Sequence, residues 1–60
     1  MMLIFYISEN TLSILRKRKG MSQEQLAEML DVSRQSVSKW EAQQALPETA
    51  KIIMIANIFN

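Results

Sequence analysis

Apolar residues recur at helical spacing through most of this chain, in blocks separated by short polar connectors. Ser8 can cap the first block, with Ile7 and Leu12 placed as a hydrophobic staple across the cap. Leu12 and Leu15 continue the apolar stripe, with Ile14 beside it. Cations at Arg16 to Lys19 suit the negative end of that helix, and Gly20 supplies a left-handed stop. In the second block Ser22 and Gln25 form a capping box, and Met21 with Leu26 makes another staple. Leu26, Ala27 and Leu30 then line one buried face, flanked by Met29. Asp31 stands where glycine would most easily close the helix, and tolerates that conformation at some cost. Ser33 caps a third, short helix in which Val32 and Val37 repeat the staple and Val37 points inward with Trp40. After a connector at Ala42 to Leu46, Pro47 is expected near the first turn of a fourth helix, with Glu48 at its positive end. That helix carries Ile52, Ile55, Ala56 and Phe59 on one stripe, while Ile53, Met54 and Ile58 extend the apolar surface around the cylinder.

The stretch from Met1 to Ile7 does not fit this scheme. It is apolar and strand-like in composition, yet nothing downstream resembles a pairing strand. It falls far short of the roughly 20 residues that span a bilayer, and it lacks the basic leader and cleavage site of a secretory signal. The chain is therefore expected to be soluble and cytoplasmic, with residues 1–7 an apolar arm and residues 8–60 one all-α domain.

At 60 residues there is room for a single small domain, burying only about 60% of its unfolded surface. A hydrophobic share of 48% against 22% charged residues is a globular balance. Cysteine and histidine are both absent, so disulfides, thiol nucleophiles, imidazole catalysis and zinc fingers fall away. No metal, cofactor or enzymatic activity is expected, since four short helices also offer little concavity. The net charge of +1 is bland, but the consecutive cations Arg16 to Lys19 are not. Such a run either attracts phosphate or forms the solvated end of a helix.

Only Asp31, Val32 and Ser33 separate the second and third helices, a connection that fits a helix-turn-helix. That geometry holds the third helix out from the body, where Ser33, Arg34, Gln35, Ser36, Ser38 and Lys39 could meet a major groove. The blocks Leu15 to Ala27, Val32 to Glu41, Leu46 to Glu48 and Ile55 to Phe59 resemble the Xre/Cro type of phage-repressor helix-turn-helix, with the spacing between blocks preserved over about residues 8–60.

The resemblance implies a lambda-repressor-like four-helix bundle and a DNA-binding role. It implies base contacts from Arg34, Gln35 and Lys39, for which bidentate pairing of glutamine with adenine, or of arginine or lysine with guanine, is the physical basis. Phosphate contacts are implied for Gln23, which would also brace the recognition helix, and for Ser33 and Ser36. Arg16 and Glu41 match an ion pair tying the first helix to the end of the third. Further phosphate neutralisation is expected from Arg16 to Lys19 and from Lys51.

Departures from the family pattern are equally readable. The connector Ala42-Gln43-Gln44 lacks the glycine this loop often carries, which makes its backbone contacts to phosphate less secure. Ser8 occupies the usual first-helix apolar position, with Ile7 displaced by one. The sequence stops at Phe59-Asn60, where many relatives continue into a fifth helix, so that helix is expected to be missing or truncated. The arm at Met1 to Ile7 would then cover the last helix, within the chain or across a dimer; the competing expectation is a disordered arm, or a chain that is one domain of something longer. The expected function is sequence-specific binding of double-stranded DNA by a homodimeric transcriptional regulator of bacterial or phage type, repressor or activator, through residues 33–41. The alternative is an antitoxin-like or phage-regulatory interaction module using Met54, Ile58 and the arm.

Overall fold

A computed structural model describes residues 11–60 and, within them, only helices: α1 (Thr11–Arg18), α2 (Gln23–Leu30), α3 (Arg34–Glu41) and α4 (Thr49–Phe59). The expected Ser8 cap, the Ile7 staple and the Met1 to Ile7 arm lie outside the described residues. None of the described helices is long and apolar enough to cross a membrane.

Local chemistry starts α2 and α3 sharply. The Ser22 hydroxyl accepts from the Gln25 amide at 3.0 Å, and the Gln25 side chain accepts from the Ser22 amide at 2.8 Å. This reciprocal box satisfies two helix-end groups at once. Ser33 does half of the same job for α3, accepting from the Ser36 amide at 3.2 Å.

One device ends α1, α2 and α3. Each stops at a residue of positive φ, namely Gly20 (69°), Asp31 (58°) and Gln43 (62°). Around these the returning chain makes paired bonds: Met21 to the Arg16 carbonyl with Gly20 to Lys17, Val32 to Ala27 with Asp31 to Glu28, and Gln44 to Lys39 with Gln43 to Trp40. These are Schellman closures, which satisfy terminal carbonyls at a left-handed residue. The missing glycine of the last connector is thus replaced by Gln43, which takes the left-handed conformation without glycine's freedom.

The core gathers Leu12 of α1, Leu26, Ala27 and Leu30 of α2, Val37 and Trp40 of α3, and Ile55 of α4. Met21 and Val32, the outer halves of the two staples, pack partly buried against it. Helix α3 packs on α2 and α1, and α4 packs on α2.

Two expectations about α4 are corrected. Pro47 precedes the helix instead of opening it: Glu48 is the extended cap residue, and the first helical bond runs from the Ile52 amide to the Glu48 carbonyl at 3.0 Å. Pro47 itself is buried. Glu48 makes no side-chain cap bond, although its charge still sits at the positive helix end. The second correction concerns the buried face. Only Ile55 of the expected stripe is fully buried; Ile52 and Phe59 pack partly, and so do Met54 and Ile58, which lie off that stripe and are expected as contact surface only in the interaction-module alternative. A helix apolar around most of its circumference carries no periodic signal to choose between faces.

Candidate nucleic-acid interface

The sequence of α3 divides its cylinder into two faces. Val37 and Trp40 are driven inward by the hydrophobic effect, and Glu41 follows them on the same stripe. Arg34, Gln35, Ser38 and Lys39 are consequently exposed on the other side. Together with Gln44 they line a shallow open recess. Gln44 enters because the closure at Gln43 turns the chain back beside Lys39, through the 2.9 Å bond from the Gln44 amide to the Lys39 carbonyl. Sequence reasoning missed this residue, since nothing in Gln43-Gln44 marks a turn.

The remaining candidates cluster at the amino end of this face. The Ser33 and Ser36 hydroxyls lie 3.2 Å apart at the start of α3. Gln23, at the start of α2, bridges two groups: its Nε2 donates to Glu41 Oε1 at 3.0 Å, and its Oε1 accepts from Arg34 Nη1 at 3.4 Å. The amide is therefore oriented by a buried carboxylate on one side and presents its acceptor to an exposed guanidinium on the other.

Beneath this face lies a buried ion pair. Arg16 donates to Glu41 twice, Nε to Oε2 at 2.7 Å and Nη2 to Oε1 at 3.1 Å, and both residues are only 8% exposed. Its Nη1 donates to the Met21 carbonyl at 2.7 Å. The fork geometry ties the end of α1 to the end of α3 and to the turn before α2. Hydrogen bonding to Glu41 raises the Arg16 pKa further, against the opposing effect of burial. Burial pushes the Glu41 carboxyl up, but bonds from Arg16 and Gln23 and the charges of Arg16 and Lys17 outweigh it and hold it below its ordinary value. Among the described residues no buried side-chain nitrogen or oxygen lacks a partner, so the polar cluster under the site is fully satisfied.

Two cations expected to neutralise phosphate are engaged elsewhere. Arg16 is spent on Glu41 and Met21, leaving Lys17, Arg18 and Lys19 as the exposed part of the basic run. Lys51 donates from Nζ to the Leu30 carbonyl at 2.7 Å. No group of histidine, cysteine, aspartate and glutamate among the described residues is arranged to hold a metal ion.

A separate, mainly apolar recess between α1 and α4 is lined by Thr11, Ile14, Leu15, Arg18, Ala56, Phe59 and Asn60. Ile14 and Ile53 remain 51% and 57% exposed.

Comparison with known proteins agrees with this architecture. The family described as Helix-turn-helix (HTH_3) matches residues 12–60. The chain is 44% identical over 46 residues to the HTH-type transcriptional activator BcrR of Enterococcus faecalis, an alignment that takes in 77% of this chain and 22% of that protein. The chain thus spans about a fifth of the length of the curated relative it matches. No solved structure matches it significantly.

Proposed function

Since the chain belongs to the Helix-turn-helix family HTH_3, of the Xre and lambda-repressor type, we propose that it binds double-stranded DNA in the major groove through α3 and regulates transcription. The observation that carries this is the division of α3. Val37, Trp40 and Glu41 anchor it, while Arg34, Gln35, Ser38 and Lys39 stand exposed beside Gln44. An eight-residue helix held out in this way presents hydrogen-bonding side chains on its free face and little else.

Arg34, Gln35 and Lys39 meet base edges, and Ser33 and Ser36 meet phosphate. Gln23 contacts phosphate while bracing Arg34. Lys17, Arg18, Lys19 and Lys39 supply the salt-dependent share of affinity. The functional domain is residues 8–60, and the protein acts in the cytoplasm as a homodimer on half-sites about one helical turn apart. It is a binding protein and not an enzyme. The relative's printed name supports transcriptional regulation, and it favours activation over repression.

A second reading, an interaction module, is favoured by the apolar recess between α1 and α4. Its surface would be this recess with the exposed Ile14, because Met54 and Ile58 pack against the core.

Fluorescence anisotropy across a salt series separates the two. The probes are a mixed-sequence duplex and a duplex selected from a random pool. Wild type should weaken steeply with salt. The Arg34→Ala/Gln35→Ala double variant should lose at least about tenfold on the selected duplex, each bidentate base pairing being worth roughly 1–3 kcal/mol. A folded protein that binds neither duplex at low salt would overturn the DNA reading and leave the interaction module.

A further inference from the structure

Helix α2 is held at both ends by cations that reach backbone carbonyls. Arg16 of α1 grips the Met21 carbonyl just before it, and Lys51 of α4 grips the Leu30 carbonyl that ends it. The second contact falls at a sensitive place. The Leu30 carbonyl belongs to the peptide plane that leads into Asp31, whose φ of 58° is uncomfortable for a residue with a Cβ. Rotating that plane would carry Asp31 out of the left-handed region and redirect the chain entering α3. Two bonds oppose the rotation. The Asp31 amide donates to the Glu28 carbonyl at 3.2 Å, and the Lys51 ammonium holds the oxygen on the other edge at 2.7 Å. A cation at the negative end of α2 is also favoured by the helix dipole.

We propose that Lys51 is a positioning residue for DNA recognition: by clamping the Leu30 carbonyl it locks the helix-turn-helix turn and fixes the angle at which α3 is presented. The inference rests on the DNA reading above, and it assigns Lys51 a role other than phosphate contact. It also makes α4 part of the recognition apparatus, since α4 sets the turn to which α3 is attached.

The test compares wild type, Lys51→Met and Lys51→Arg as full chains, with folding checked by circular dichroism. Lys51→Met should weaken binding to a duplex selected by wild type from a random pool by on the order of tenfold. It should leave binding to a mixed-sequence duplex, and the slope of log affinity against log salt, unchanged. Lys51→Arg, which keeps a charged donor, should restore most of the loss. Without DNA, the amide NMR shifts of Asp31 to Arg34 should move in Lys51→Met.

A loss shared by both duplexes, with the salt slope reduced by about 0.9, would make Lys51 a phosphate contact and overturn the proposal. A lower melting temperature with unchanged selective binding would reduce it to a stabilising contact, which also overturns it. Failure of wild type to bind any duplex would sink the DNA reading instead. The clamp itself would then be upheld by moved turn amides and refuted by unmoved ones.

Discussion

Helices α3 and α4 invert the usual association between apolar content and burial. The eight residues of α3 include only Val37 and Trp40 as apolar side chains, yet Val37, Trp40 and Glu41 are all buried. The eleven residues of α4 are mostly apolar, yet Ile55 alone is fully buried. Burial follows the arc a helix presents to its neighbours, and α3 spends that arc sparingly. It also inserts a charge there, which is tolerable only because Arg16 and Gln23 satisfy both carboxylate oxygens. The surplus of α4 is half-buried against the core and leaves Ile53 exposed among Thr49, Ala50 and Asn57, whereas the outward face of α3 is wholly polar.

The largest expected effect breaks the α3 side of this contrast. Glu41→Ala strands the Arg16 guanidinium in a buried site, which costs about 3–5 kcal/mol. A chain of this length has only about 3–9 kcal/mol in hand, so thermal melts should show the variant largely unfolded or close to it. The same carboxylate sets an acid limb. Its folded pKa is depressed, so its contribution is complete above the unfolded value of about 4.3 and is lost as pH falls through the folded value. Melts between neutral pH and about pH 3 should show that loss, and Glu41→Gln should flatten it.

Two substitutions on α4 sharpen its half. Ile55→Ala should cost about 2–5 kcal/mol in urea unfolding, whereas Ile53→Ala should stay within about 0.5 kcal/mol. Equal costs would mean that the outer side of α4 is covered, and the contrast with α3 would collapse.

The smallest effect has the opposite sign. Gln43→Gly relieves a left-handed conformation at the end of α3 and should stabilise by up to about 1 kcal/mol, read from the same urea curves. A loss would place the contribution of Gln43 in its side chain.

Legibility in the sequence tracked how local each cause is. The capping box at Ser22 and Gln25, the cap at Ser33 and the closures at Gly20 and Asp31 depend on residues within one turn of each other, and they are readable as such. The exposed placement of Arg34, Gln35 and Lys39 follows directly from knowing that Val37 and Trp40 face inward. Causes that act at a distance are silent in a single sequence. Nothing near Lys51 announces a bond to a carbonyl 21 positions away. Nothing in Gln43 predicts a positive φ, and an almost uniformly apolar α4 does not say which side faces in. Pro47 marks the neighbourhood of a helix start without fixing the residue: it stands buried just before the Glu48 cap instead of in the first turn.

The two-sided construction of α3 has a consequence for how such a protein can change over time. The positions that hold the helix in place and the positions that face outward share no side chain; Arg34 alone touches the supporting cluster, through one long bond to Gln23. Gln35, Ser38 and Lys39 can therefore drift with little penalty in folding, so the outward face of the helix is rewritable while its anchorage in the core stays intact. Duplicated copies of such a gene could diverge in what they read long before they diverged in shape.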